Sequence, residues 1–426
     1  MFEIKDHLEN RGGVLFIGGA STIELAEKYG TPLYAYDEQA IRARYKRLAN
    51  AFKKHYPNFK CKYAIKANNN PAILNILRQE GAGADASCIE EIALAEQAGF
   101  KDILYSGVYH TNAELKTAIG KNVIINLEDV SQLPRLLKFG KPEILSFRIN
   151  PGIGKGSFEG NIFGGPDAKF GVPEEKAVEA YRQAKGAGIK RFGIHMMTGS
   201  CVIEEGYFEQ ITAKLLDIAG QIHKELGIDF EFVDIGGGFG VSYKPGESDL
   251  NIEKVAENVC KLFSQKLKEH GLKEPLLTIE PGRFIVCEPG ILLCKVHSIK
   301  EAKKKFIGVD AGLHTLLRPA LYGAYHEIKI ANRLNAKGEE KVNIVGQICE
   351  NTDQLAKDRL MPQIEVGDIL AILNGGSYGF SMSSQYNTRP RAAEVLVNNG
   401  KHELIRKRET LDDIVRNVVV PARLKK

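Results

Sequence analysis

From about residue 60 to residue 282, short apolar runs rich in β-branched residues alternate with longer amphipathic stretches. No other feature limits the fold of this chain as much. In order, the runs are Cys61–Lys66, Ala82–Ser87, Asp102–Gly107, Asn122–Leu127, Ile144–Asn150, Arg191–Met197, Phe230–Gly236 and Leu276–Glu280. Between them, Pro71–Gln79, Glu90–Ala98, Pro173–Ala187, Gly206–Leu226 and Ile252–His270 carry apolar residues at helical spacing. A strand buried on both faces reads as a continuous apolar run, and joining it to a parallel neighbour takes a crossover helix. Eight such strands, most leading into a helix, predict an α/β fold of the (β/α)8 TIM-barrel type. A doubly wound open sheet alternates in the same way, and pattern alone does not separate the two.

After Pro281 the texture changes. Phe284–Cys287, Ile291–His297, Phe306–Val309, Val342–Val345 and Ile369–Leu373 are short strand-like runs punctuated by Gly, Pro and Asn, which predicts a C-terminal, mainly-β domain of sandwich or barrel type. The strand-like stretch Gly13–Gly18 precedes the barrel and could pair with that C-terminal sheet. At 426 residues the chain exceeds what one core usually supports. The expected division is residues 1–35 with the β domain, 36–282 as the barrel and 283–426 as the rest of the β domain.

Composition serves mainly to exclude. The net charge of +5 is spread along the chain, so a nucleic-acid partner is not indicated, and Lys303–Lys305 reads as a solvated loop. No apolar run approaches the roughly 18 residues of a membrane span, and the charged start MFEIKDHLENRGG lacks the apolar stretch of a signal peptide. The 7 cysteines are odd in number and form no CxxC or Cys/His cluster, so neither a disulfide framework nor a metal site is expected. A reducing cytoplasm is the simplest location.

Barrel enzymes carry their functional groups at the C-terminal ends of the strands, and the unusual residues of this sequence gather there. The first run closes with Tyr63-Ala64-Ile65-Lys66-Ala67-Asn68. A lysine in an apolar strand is costly unless its amine does chemistry, such as condensing with an aldehyde; the alternative is a lysine that reaches to the surface. The seventh run closes with Asp234-Ile235-Gly236-Gly237-Gly238-Phe239-Gly240. Consecutive glycines let backbone N–H groups close around a phosphate, although such a cluster is often only a tight turn. The eighth closes with Glu280-Pro281-Gly282-Arg283, where a carboxylate could keep a ring nitrogen protonated and an arginine could take an anion; an exposed salt-bridged turn would look the same. Together, an imine-forming lysine, a phosphate loop and a carboxylate are what pyridoxal 5'-phosphate requires.

With these, the motifs YAIKAN, GGGFG, EPGR, DAG–RPALYGAYH, CEN-D and SYG–YNTRP follow an order that resembles the barrel-type (fold type III) pyridoxal-phosphate-dependent amino-acid decarboxylases, from Thr31-Pro32-Leu33-Tyr34 to near Thr410. Within that family the pattern is most similar to the diaminopimelate decarboxylases. The resemblance implies that Lys66 holds the cofactor, and that Gly237 and Gly238 cradle its phosphate with Ser200. It implies that Glu280 pairs with the ring nitrogen, with Gly282 and Arg283 beside it. Cys349 would be the proton donor, and Tyr378 would touch cofactor and substrate. Arg283, Arg318, Tyr322 and Glu350 fall where those enzymes grip an amino-acid substrate. A homodimer with shared active sites also follows from the resemblance alone.

The substrate class has a physical counterpart. The far end of diaminopimelate carries one carboxylate and one ammonium, so Arg318 could clamp the first and Glu350 take the second. A lysine or ornithine decarboxylase needs only the anion. The alternative for Arg318 is a structural ion pair within the β domain. Two departures from the family pattern bear on the substrate. Met197 stands where many relatives place a histidine that stacks on the cofactor ring, with His195 two residues earlier on the same strand. Asn351-Thr352-Asp353 follow Glu350 where Ser and Gly are common. The glycine-rich stretch Gly154–Asp167 looks inserted. The rival readings are a paralogue acting on carboxynorspermidine, ornithine or arginine, a non-catalytic member of the fold, and a racemase of the alanine-racemase type.

Overall fold

Eight parallel strands close into a barrel in a computed structural model that describes residues 7–157 and 162–425. They are β1 (Phe59–Ala64), β2 (Gly83–Ala86), β3 (Ile103–Tyr105), β4 (Ile124–Leu127), β5 (Leu145–Phe147), β6 (Phe192–His195), β7 (Phe230–Asp234) and β8 (Leu276–Ile279). Each of the eight runs contributes one strand. Neighbours in sequence are neighbours in the sheet, with β8 paired to β1 and β5 to β6. Closure leaves no free sheet edge in the barrel, and an open doubly wound sheet is excluded.

Helices follow the strands, several of them opened by capping residues. Asn70 accepts a 3.0 Å hydrogen bond from the backbone of Ala72 to open Pro71–Gln79, with Pro71 at the first helical position. Thr111 and Glu114 form a capping box on Asn112–Lys121. The long crossover helices Tyr207–Leu226 and Ile252–His270 bury one apolar face each.

The barrel belongs to a unit of Ile41–Ser242 and Glu247–Val286; a second unit takes the residues up to Ala40, Tyr243–Gly246, and those from Cys287 onward. The excursion Tyr243–Gly246 joins the second unit because Tyr243 hydrogen-bonds through its hydroxyl to the Cys287 thiol at 3.1 Å and lies under the Arg318 guanidinium. In this unit Leu33–Asp37 pairs with Gly290–Glu301 on one side and Ala393–Asn398 on the other, within a nine-stranded sheet. Leu15, Ile17, Leu33, Ala35, Ile291, Leu293 and Val395 are among the side chains of its core.

Two expectations are corrected. Phe284–Cys287 is not a strand: Arg283–Val286 is a helical turn whose Ile285 and Val286 N–H groups bond the Gly282 carbonyl. A four-residue apolar run carries no period that separates the two states. The Gly13–Gly18 stretch holds a strand, Val14–Ile17, but its ladder partners are Leu8–Arg11 and Ala20–Ser21, in a three-stranded sheet of its own. Gly12 and Gly13, at φ +61° and +88°, form the two-residue turn that a tight hairpin demands.

Candidate active site

The C-terminal edge of the barrel gathers Lys66, Asp85, Ser106, Arg148, His195, Asp234 and Glu280 from successive strand ends. Lys66 sits on the turn Ile65–Ala67 just past β1. Its Nζ lies 2.5 Å from Asp85 Oδ2 on β2, with the lysine side chain 37% exposed and the aspartate fully buried. Ser106 Oγ donates to the other oxygen of Asp85. Burial, and then Glu280, push the Asp85 carboxyl above its usual range against the pull of Lys66 and Ser106. The amine is thus anchored by one carboxylate while remaining accessible to an aldehyde.

Past β7 the chain turns through Gly236-Gly237-Gly238. A Cβ on Gly237 would stand 2.3 Å from the Glu280 carbonyl oxygen, so only glycine fits this approach. Gly238 has φ +93°, and its carbonyl accepts from Val202 N–H at 2.9 Å, which ties the loop to the segment carrying Ser200. The Gly237 N–H points at Met197 Sδ, 3.1 Å away. Met197 therefore packs on the glycine loop in the place of the family histidine. Half-buried Ser200 lies on a short strand paired with Lys155–Gly156, so the inserted-looking stretch borders this loop; its residues 158–161 lie outside the described residues.

Glu280 follows β8 and is buried. Its Oε2 lies 3.2 Å from His195 Nε2, whereas its Oε1 has no hydrogen-bond partner among the described residues. Burial acts to raise the Glu280 pKa, but His195, Lys66 and Arg148 outweigh it and hold the carboxylate below its usual range. Asp234, buried beside it, is pushed well above by burial and by Glu280. The two carboxyl groups are driven apart, Glu280 downward and Asp234 upward. Ligand atoms of His195, Asp234 and Glu280 lie within 4.8 Å of one another, and His195 and Glu280 bond each other directly. Gly282 starts the turn that carries buried Arg283.

These groups fit pyridoxal phosphate. Leaving a carboxylate oxygen buried and unbonded costs about 1–3 kcal/mol or more, and a protonated ring nitrogen would satisfy the orphan Oε1 of Glu280. The glycine loop that a Cβ would fill suits a phosphate, and Lys66 suits the aldehyde.

The second unit carries the other candidates. Arg318, 2% exposed, opens the helix Arg318–Tyr322, and half-buried Tyr322 closes it. The guanidinium lies 4.6 Å over the Tyr243 ring and donates from Nη1 to His326 Nε2 at 2.8 Å. Among the described residues no carboxylate pairs with it, so the structural ion pair is not its role. Tyr378 is held at φ +53°, a left-handed conformation rare for a bulky side chain and typical of sites that aim one.

Cys349 is exposed and accepts from Asn387 Nδ2 at 3.3 Å. Glu350 accepts from the Tyr386 and Thr352 hydroxyls, which hold its carboxylate below the usual range. Arg318 and Glu350 therefore have separate partners within the chain. The departure after Glu350 has a structural account: buried Asp353 accepts backbone N–H bonds from Leu313 at 2.5 Å and Ile348 at 2.7 Å, stitching the cysteine loop to the DAG segment.

The sequence pattern of the pyridoxal-dependent decarboxylases, pyridoxal binding domain, matches residues 39–287. This chain is a pyridoxal-dependent decarboxylase by family. It is 48% identical over 98% of its length to the diaminopimelate decarboxylase of Methanothermobacter thermautotrophicus, 98% of which is covered. Among solved structures, diaminopimelate decarboxylase from M. jannaschii in complex with L-lysine superposes with a TM-score of 0.90 at 34% identity, covering 99% of both chains. The Helicobacter pylori enzyme complexed with L-lysine gives a TM-score of 0.85 at 34% identity, covering 92% of this chain and 98% of that one. The pyridoxal-dependent decarboxylase fold also brings in residues that sequence reasoning passed over: Asp85, Asn126, Ser146, Arg148 and His326. Asp85 was detectable, being a carboxylate inside an apolar run, as Lys66 is an amine inside one.

Proposed function

We propose that this chain removes one carboxylate of meso-2,6-diaminopimelate as carbon dioxide and releases L-lysine. The observation that carries the substrate is Arg318, a buried guanidinium with an aromatic face and an imidazole around it but no carboxylate partner among the described residues. An unpaired buried cation is expensive unless a ligand anion completes it. The remote carboxylate of diaminopimelate is such an anion, and Glu350, kept ionised by two hydroxyls, is a matching group for the remote ammonium. The 48% identity to an enzyme of that name supports the same substrate.

Bound pyridoxal phosphate supplies an electron sink for the electron pair left when the carboxylate departs. Lys66 would hold it, Gly237, Gly238 and Ser200 would take its phosphate, and Glu280 would pair with its ring nitrogen. Arg283 and Tyr378 would help orient the substrate. Cys349 would give its thiol proton to the carbon that lost the carboxylate, so that one C–C bond breaks and one C–H bond forms. The reading extends to a homodimer in which the exposed Cys349-Glu350 loop serves the partner's cofactor. It also extends to the cytoplasm, in keeping with seven unpaired cysteines; no described helix is long and apolar enough to cross a membrane. The test is conversion of meso-diaminopimelate to lysine by purified protein with added cofactor, beside ornithine, arginine and carboxynorspermidine. Turnover of one of those three without lysine formation from diaminopimelate overturns the substrate assignment.

A further inference from the structure

Behind Glu280 a line of buried side chains runs across the barrel, and each member accounts for the next. Asn126 on β4 and Ser146 on β5 are register partners, and Ser146 Oγ donates to Asn126 Oδ1 at 2.6 Å. The hydroxyl holds the amide oxygen, which leaves Asn126 Nδ2, a donor only, facing His195 Nδ1 at 3.4 Å. A ring nitrogen that meets a donor must present its lone pair. In the neutral imidazole the proton then sits on the other nitrogen, Nε2, which faces Glu280 Oε2 at 3.2 Å. The line ends at Glu280 Oε1, which has no hydrogen-bond partner among the described residues. Asn126, Ser146 and Glu280 are buried, and His195 is 1% exposed.

We propose that Asn126, oriented by Ser146, is a positioning residue that fixes the proton of the neutral His195 ring on Nε2, and so locks Glu280 through Oε2 with Oε1 left for the ring nitrogen of the cofactor. This rests on the pyridoxal reading of the site but not on the identity of the substrate. With the opposite tautomer, the Nε2 lone pair would face a carboxylate oxygen. The two acceptors would repel, and Glu280 would rotate or take up a proton, losing the anionic partner that keeps the ring nitrogen charged. The titratable groups around His195 are Glu280, Asp234, Arg148 and Glu128. Burial resists charge on the ring, and Glu280 outweighs it, so the pKa is raised. In both protonation states Nε2–H donates to Glu280, and Asn126 decides which proton leaves first.

The experiment is nitrogen NMR on cofactor-free protein labelled with 15N-histidine, with His195 assigned by loss of its signals in His195→Gln, at a pH above the titration of the ring. The expected result is a bare Nδ1 and a protonated Nε2. In Asn126→Asp, a near-isosteric change that turns the donor into an acceptor, the proton should move to Nδ1. In Ser146→Ala the amide is freed to flip, and the two tautomers should mix. Cofactor titration followed by visible absorption should then show binding weakened by about tenfold in Asn126→Asp, the equivalent of 1.4 kcal/mol. A neutral wild-type ring protonated on Nδ1, or tautomers unchanged in both variants, overturns the proposal. Failure of the protein to bind pyridoxal phosphate at all would instead overturn the reading on which it rests, and the NMR result stands apart from that outcome.

Discussion

Arg318 Nη1 donates to His326 Nε2 at 2.8 Å, and the other nitrogen of that imidazole lies 2.8 Å from the Leu373 carbonyl oxygen. A carbonyl only accepts, so Nδ1 carries the proton and Nε2 offers its lone pair to the arginine. The guanidinium is therefore steered by a neutral partner, which leaves its charge without a carboxylate counterpart among the described residues. Arg318→Met should lower catalytic efficiency on meso-diaminopimelate by about a hundredfold or more, the scale of losing one partner of a buried charged pair. Activity on lysine or ornithine, which lack the remote carboxylate, should fall far less. Binding energy from the remote end also positions the reacting carbon, so kcat should drop along with apparent affinity. Equal losses across a substrate panel would assign Arg318 to structure instead.

Lys66 and Asp85 make a second prediction. Borohydride reduction of the cofactor-loaded protein should fix the label on Lys66, located by peptide mass analysis. Lys66→Ala should lose that fixation and at least about 10³-fold in kcat, as expected for removing a covalent catalytic group. A label on any other lysine would reassign the attachment. Lys62 is the informative control, since it lies on β1, is 1% exposed and is bonded to Asp102 just before β3.

Lys66, the three glycines and Glu280 were legible in the sequence because each is an unusual residue type at the end of an apolar run, where a barrel places its chemistry. Asn126 and Ser146 were not. A polar residue within a four-residue strand has no signature of its own, and its partner His195 lies 69 residues further along. Only the pairing of both β4 and β6 with β5 brings them to one inward cluster. The β domain was legible as a class of structure but not in its pairing. Leu33–Asp37 enters the middle of the C-terminal sheet by contacts spanning more than 250 residues, while Gly13–Gly18 folds back on its neighbours through a glycine turn that was visible in the sequence.

His314 predicts an acid-side loss of stability. It is buried, its Nδ1 has no hydrogen-bond partner among the described residues, and burial followed by Arg389 lowers its pKa from 6.5 to about 4. The folded state thus binds a proton less readily than the unfolded chain. Its contribution is present above about pH 6.5, the unfolded value, and is lost as pH falls toward 4. The total is about 1–2 kcal/mol after allowance for partial solvent screening. Melting temperature measured from pH 7 to pH 4 should decline, and His314→Phe should decline less steeply over the same window. Identical slopes would assign the acid sensitivity to the buried carboxylates.

Cys349 supplies the sharpest separation of bond breaking from protonation. Its thiol is exposed and held by the Asn387 amide, on a loop where Asn387 and Thr388 both take left-handed backbone angles, φ +56° and +58°. Strain at a β-branched residue is retained only where its surroundings enforce it, and here the loop also supplies the Tyr386 hydroxyl to Glu350. Carbon dioxide departs before the carbon needs its proton, so Cys349→Ala should bind cofactor normally and still release carbon dioxide. Lysine formation should fall by about 10²–10⁴-fold, the usual contribution of a placed proton donor. The electron pair left behind must then take its proton at another atom and leave in a product other than lysine, so the ratio of carbon dioxide to lysine should rise above unity, a change that a folding defect cannot produce because it would lower both together. Cys349→Ser keeps the geometry but raises the acidity barrier, and should fall between wild type and alanine. A ratio that stays at unity in both variants would mean that the proton reaches the carbon from another group.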